Sequence, residues 1–173
     1  MKEANTNLPD NSDLVVANST VLENQFGVIT KKSFNKGEVI FSVKGPVLSQ
    51  PTKYSFSVGI DKHIDPLRDD GSFDFGHYLN HSCDPNTIIR VVNSDTSPHI
   101  EIVARRDIKS GEELAFDYAS SEYNQTTSKT SCLCKTDTCR GVMHGFKDLP
   151  EEIKEKYSKE GMIPDYLITL SKT

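Results

Sequence analysis

Short apolar runs rich in β-branched and aromatic side chains recur from Leu14 to Tyr118, broken by Gly, Pro, Asn and Asp. That pattern predicts strands at Leu14–Ala17, Val28–Thr30, Glu38–Val43, Tyr54–Ile60, Thr87–Val92, His99–Ala104 and Glu113–Tyr118 joined by turns. No long segment in this stretch keeps a helical period. The run from Ile29 to Glu38 aligns without gaps on the run from Val103 to Glu112. Each passes from an apolar strand end through a basic pair and an apolar residue to a Gly turn, as expected of two similar strand-turn-strand units or of two ordinary hairpins.

Outside the β-patterned region the composition changes. Residues 1–13 are rich in Asn, Asp and Glu and read as a flexible tail. The stretch from Ala119 to Ser131 is mostly Ser, Thr, Asn, Gln and Lys and reads as a polar linker that carries the segment after it as a flap. Pro150, preceded by Asp148 and followed by two glutamates, marks a helix start. That helix would pack through Ile153 and Tyr157. The resulting division is a tail (1–13), a β domain (14–119), a linker (120–131), a cysteine knuckle (132–148) and a helical extension (149–173).

With 173 residues, 35% of them hydrophobic, the chain suits one globular domain. The formal net charge of −5 gives no basic face to neutralise phosphates, so no direct nucleic-acid partner is expected. An acidic surface would instead tolerate a basic protein or peptide. No apolar run reaches the roughly 20 residues that span a bilayer, and the first 13 residues carry no apolar secretory core. The expectation is a chain without a membrane partner, in an intracellular, reducing compartment, cytoplasm or nucleus.

Cysteine usage changes the picture most. Cys132, Cys134 and Cys139 form a C-x-C-x4-C cluster, and Cys83 lies in Tyr78-Leu79-Asn80-His81-Ser82-Cys83-Asp84-Pro85-Asn86. A local trio plus one distant partner is the count a closed tetrahedral zinc site requires. Two disulfides and unrelated free thiols are the alternatives, although cysteines so close in sequence rarely bridge each other. The chain contains no Gly-x-Gly, so neither a dinucleotide fingerprint nor a P-loop is available.

Asn80-His81-Ser82-Cys83-x-Pro85-Asn86, then Gly111-Glu112-Glu113-Leu114-Ala115-Phe116-Asp117-Tyr118, then the cysteine cluster, resemble a SET-domain protein-lysine N-methyltransferase with a post-SET zinc motif. The resemblance spans about Leu14 to Gly141. It implies a mainly β, SET-domain fold: a β-clip of small curled sheets with a C-terminal pseudoknot, a zinc knuckle and a short helix. S-adenosyl-L-methionine and zinc are the implied cofactors. The implied partner is a protein or peptide lysine substrate, of which a histone tail is one example.

Carried over by position, the resemblance implies zinc ligation by Cys83, Cys132, Cys134 and Cys139. It implies cofactor binding by Gln25, Phe26, Gly27, Tyr54, Tyr78, Asn80 and His81, with Leu133 covering the adenine. Tyr118 takes the place of the catalytic tyrosine and also touches the cofactor. Phe116 stands where the family has Phe or Tyr, and the smaller side chain implies room for di- or trimethyl-lysine.

Three positions depart from the family pattern. Gln25 replaces the first Gly of the cofactor loop, His77 stands where many relatives have Arg, and Val43 stands where many have a pocket Tyr. Tyr123 is the candidate for the missing aromatic wall. Asp61, Asp65, Asp69, Asp70 and Asp74 would border the peptide groove, either to receive basic residues or as a solvated loop. A catalytically inactive lysine-peptide binding module and a zinc-stabilised interaction domain are the other readings.

Overall fold

The computed structural model describes residues 8–93, 97–124 and 130–172. Among these, ten short strands build three small sheets. The first sheet contains β1 (Leu14–Asn18), β2 (Phe26–Thr30), β7 (Asn80–His81) and β10 (Glu113–Phe116), in the order β1-β2-β10-β7. The second orders β3 (Val39–Val43), β9 (His99–Ala104) and β8 (Thr87–Val92). The third orders β4 (Val47–Leu48), β6 (Lys62–Ile64) and β5 (Phe56–Gly59). Two helices follow, α1 (Glu151–Lys159) and α2 (Asp165–Leu170). None of the described helices is long and apolar enough to cross a membrane.

The alternation that predicted the strands reappears as burial: Leu14 and Val16 of β1 face inward, as do Ile100 and Ile102 of β9. These side chains join Val28, Val43, Ile64, Leu79, Ile89, Leu114 and Phe116 in one core. The late strand β10 enters the middle of the first sheet, antiparallel to β2 and parallel to β7. This insertion is the pseudoknot the resemblance implies, and it places Tyr118 next to the Asn-His-Ser-Cys segment.

The two echoed runs turn out to pair with each other. Phe34 and Ile108 exchange two backbone hydrogen bonds of 2.8 Å. Gly37 N–H donates to Ala104 O while Gly111 N–H donates to Thr30 O, both at 2.8 Å. The Lys36 N–H donates to the Asp107 carboxylate and the Ser110 N–H to the Ser33 hydroxyl. Every one of these bonds maps onto its counterpart under the sequence alignment, so the units are related by a local two-fold. Gly37 and Gly111 both have φ near +90°, where a side chain would be strained.

Several features differ from the sequence reading. β4 and β6 come from a stretch with too little alternation to signal strands, and they convert the supposed acidic insert into part of a sheet. Residues 8–13, placed in the tail, fold back on β1: Pro9 O accepts from Val16 N–H and the Asn11 side chain accepts from Asp13 and Leu14 N–H. Ala119, Ser120 and Ser121, polar or small and so assigned to a linker, are buried. The remaining tail residues, 1–7, and linker residues 125–129 lie outside the described residues.

The predicted helix is present as α1, with Tyr157 buried and Ile153 packed against the same cluster. It is joined by the unpredicted α2. Ala119, Phe146, Leu149, Tyr157, Met162 and Leu167 form a second core there, which seals the C-terminal extension against the β domain.

Candidate active site and metal centre

Four sulfurs converge at the C-terminal end. Those of Cys83, Cys132, Cys134 and Cys139 all lie within 4.8 Å of one another, and Cys83 and Cys132 are 3.7 Å apart. All four are free thiols. A tetrahedral zinc with Zn–S near 2.3 Å separates its sulfurs by about 3.8 Å, so the donor set fits zinc in type, number and spacing. Burial pushes the Cys83 thiol up to about 11, so its thiolate needs a cation beside it. Backbone N–H groups supply a further shell: Arg140 N donates to Cys83 Sγ and Gly141 N to Cys139 Sγ, each at 3.5 Å.

The segment that brings Cys83 also holds β10. Asn86 accepts from Ala115 N–H and donates to Glu113 O, and Ser82 N–H donates to Phe116 O. His81 is buried, and burial lowers its pKa to about 4 against the opposing pull of Asp117. The ring is therefore neutral: Nδ1 accepts from Tyr118 N–H at 3.2 Å, which leaves Nε2 to donate to Cys83 Sγ at 3.4 Å. With both ring nitrogens engaged internally, His81 has only its backbone to offer a ligand.

Asp117 is the hub of the site. Its fully buried carboxylate accepts two hydrogen bonds from Arg140, at 2.8 and 2.9 Å, one from Tyr157 OH at 2.7 Å and one from Ala119 N–H at 3.1 Å. One side chain thus ties β10, the cysteine knuckle and α1 together.

Tyr118 follows directly. Its hydroxyl donates to Leu79 O at 3.0 Å, and its ring packs on Phe116 and His81 with centroids 4.9 and 5.2 Å away. Burial raises its pKa strongly, and the Glu122 carboxylate adds to that, so the phenol stays protonated. Tyr118 borders a narrow cavity, about 30 Å³ of free space, whose walls include Tyr54, Phe56, His77, Leu79, Phe116 and Glu122.

Of the other predicted site residues, several form one aromatic band. The His77 ring is sandwiched between Phe73 and Tyr54 with centroids 3.8 and 3.9 Å away, and Tyr78 touches both His77 and Phe26. Burial lowers the His77 pKa, so the sandwiched ring is neutral. Asn80 Nδ2 donates to Phe26 O at 2.9 Å and to Glu113 Oε1 at 2.8 Å. Asn80 and His81 also border a larger cleft of about 340 Å³ that reaches Cys134, a volume suited to a small-molecule cofactor. Leu133, between two of the cysteines, is 63% exposed and available to cover a ligand.

The loop that replaces Gly-x-Gly is explained by its backbone. Gln25 is not among the positive-φ residues, and the left-handed position is taken by Asn24, a residue type that tolerates it. Gly27 has a different part, leaving room for the Glu113 carboxylate: a Cβ there would stand 2.3 Å from Glu113 Oε1 and turn that side chain away. Glu113 in turn gathers Ser19, Thr20 and Asn80 around that glycine.

Two candidates are not brought to the cavity. Tyr123 packs on Phe146 in the second core, so it is not the missing aromatic wall; Tyr54, Phe56 and His77 are. Val43 is fully buried behind Gly76. Within the acidic stretch, Asp74 caps the turn at Phe75 and pairs with Arg68, Asp70 accepts from Ser72, and Asp65 accepts from Thr52.

A family model described as the SET domain matches residues 25–119, more than half of the chain. The chain belongs to the SET-domain family. Similar curated proteins include histone-lysine N-methyltransferase TRX1 of Oryza sativa subsp. japonica, 30% identical over 132 residues that cover 69% of this chain and 13% of that protein. An H3 lysine-4 specific histone-lysine N-methyltransferase of Schizosaccharomyces pombe is 27% identical, covering 68% of this chain and 14% of its own length. A putative histone-lysine N-methyltransferase 1 of Plasmodium falciparum is 27% identical over 150 residues, 80% of this chain and 2% of that protein. This SET-domain chain therefore spans only a small fraction of the relatives it matches.

Sequence reasoning missed Asp117, Arg140, Tyr157 and Glu122. The first two had a signal, in that one precedes Tyr118 and the other follows a cysteine. Tyr157 was read only as packing, and nothing in the polar segment marked Glu122.

Proposed function

We propose that this SET domain transfers a methyl group from S-adenosyl-L-methionine to a lysine side chain of a basic protein such as a histone tail, with zinc closing the cysteine knuckle, in a reducing compartment. The observation that carries the proposal is the Tyr118 hydroxyl, fixed on the Leu79 carbonyl at the wall of an aromatic cavity, with the Tyr118 ring packed on His81. Names of the similar proteins and the net charge of −5 favour a basic substrate.

Asn80, the backbone of His81, and the Gln25-Phe26-Gly27 loop would hold the cofactor, with Tyr54, Tyr78 and Leu133 as apolar cover. When bound, it supplies an activated methyl group on a positively charged sulfur. A free lysine has a pKa near 10.4, so the neutral amine at pH 7.4 costs about 4 kcal/mol. Phe56 and Phe116, stacked at 5.3 Å, help exclude water from the cavity, and the lost hydration disfavours the ammonium and reduces that cost. Tyr118 donates its hydroxyl proton to Leu79, so its oxygen lone pairs face the cavity as acceptors that orient an amine or methyl C–H. Orientation of this kind contributes several kcal/mol without a separate base.

Because Phe116 lacks a hydroxyl that would crowd a methylated amine, the reaction is expected to reach di- or trimethyl-lysine. Radiolabelled methyl transfer to a mixture of histones and other basic proteins tests activity and substrate class together. Label on protein lysine supports the reading. Failure of the zinc-loaded chain to bind S-adenosyl-L-methionine in calorimetry would sink it.

A further inference from the structure

Glu122 adds a charge to the wall of the Tyr118 cavity. Its backbone is clamped at the cavity wall, with N–H donating to Tyr118 O at 3.0 Å and C=O accepting from Phe146 N–H at 2.7 Å. Oε2 is shut off from solvent and has no hydrogen-bond partner. A buried carboxylate oxygen without a donor is costly, and such orphans persist mainly where a ligand completes them.

The surrounding groups do not complete it. Tyr118 OH is spent on Leu79 O, and Tyr166 OH on the carbonyls of Ser57 and Ser121. Lys53, on the same wall, has its ammonium over the Tyr54 ring, 5.0 Å from the centroid. Tyr54 and His77 are stacked on each other. The cavity wall that holds Phe56, Phe116 and Tyr118 therefore also holds one buried carboxylate oxygen that lacks a donor.

We propose that Glu122 is the docking carboxylate of this SET domain, the group that receives the target lysine as an ammonium beside Tyr118. The proposal rests on the lysine-methyltransferase reading and adds to it the residue that recognises the charged amine. Docking and transfer are then two positions of one nitrogen, charged beside Glu122 and neutral beside Tyr118, with its proton given up to solvent water between them. Burial alone holds the free carboxyl up near a pKa of about 6, and an incoming cation would restore its charge.

The test uses n-butylammonium, the lysine side chain without a peptide, titrated into the zinc-loaded full chain and followed by NMR. At pH 7.5 the wild-type chain is expected to bind it roughly tenfold or more tightly than Glu122→Gln. Butan-1-ol should bind both alike. Binding to the wild type should weaken as pH falls through about 6, because the carboxylate takes a proton while the amine keeps its charge. The Glu122→Asp variant should recover part of the affinity. Equal binding by the wild type and Glu122→Gln overturns the proposal, and so does a flat pH profile in the wild type, which needs no variant to fold. A Glu122→Gln loss of affinity for S-adenosyl-L-methionine but not for its neutral thioether product would move the carboxylate to the sulfonium and also overturn it. Ammonium docking without any methyl transfer would leave this inference standing and remove the functional reading. Transfer with an unaltered KM in Glu122→Gln would do the reverse.

Discussion

Replacing Arg140 by Met keeps an unbranched apolar stem but deletes the guanidinium that meets Asp117 through two hydrogen bonds of 2.8 and 2.9 Å. Asp117 has no exposed surface, and only the Tyr157 hydroxyl and the Ala119 N–H would remain on its carboxylate. Removing one partner of a buried ion pair costs about 3–5 kcal/mol, because an uncompensated charge stays behind. For a domain of this size that corresponds to a Tm lower by roughly 6–20 °C. The backbone N–H of residue 140 still reaches Cys83, so metal content should not change. Urea unfolding of Arg140→Met, of Asp117→Asn and of the double variant forms the assay. The double variant should be more stable than Arg140→Met, since it removes the stranded charge together with its partner. If Arg140→Met unfolded within about 1 kcal/mol of wild type, the carboxylate would not be desolvated as its burial implies, and the account of Asp117 as the hub would fail.

Four further outcomes follow from the same site. A chelator strong enough to strip zinc should release the knuckle and lower the unfolding temperature, with metal analysis of untreated protein giving close to one zinc per chain; stability indifferent to metal would remove the centre. Tyr118→Phe loses a hydrogen bond worth about 1 kcal/mol, so the fold should persist while methyl transfer falls steeply; full activity would discard the role given to that hydroxyl. Phe116→Tyr should shift products toward monomethyl-lysine, read by mass spectrometry of intact peptides. For Glu122 the folded-state pKa, about 6, lies above its ordinary value near 4.5, so the folded chain binds more protons than the unfolded one between them and this group's contribution to stability falls as pH rises through that window. Glu122→Gln should therefore be more stable than wild type at pH 7.5, by up to about 2 kcal/mol, with the advantage disappearing below about pH 4.5.

The strands and the cysteine cluster were legible because their signals are local: alternation survives in β1, β8 and β9, and three of the four cysteines stand between 132 and 139. β4 and β6 were not, since Val47–Leu48 and Lys62–Ile64 are too short for any period to show and owe their pairing to neighbours far along the chain. Ser120 and Ser121 look like linker because burial of a hydroxyl residue depends on partners that composition does not reveal. Tyr166, whose hydroxyl caps the Ser57 and Ser121 carbonyls, and α2, which carries it, show what those partners are. Asp117 reads in sequence as half of an ordinary Asp-Tyr pair, and only the arrival of Arg140 and Tyr157 from later elements makes it a junction.

The local two-fold between residues 29–38 and 103–112 works as a hasp. With Phe34 latched to Ile108, and Gly37 and Gly111 each bonded across, the ends of the intervening chain are pinned independently of its length. Changes in the span between β4 and β6, which carries Tyr54 and Phe56, can then alter that wall of the cavity without moving the strand that precedes Tyr118. A shared scaffold can in this way keep one tyrosine fixed in place while the wall around it diverges.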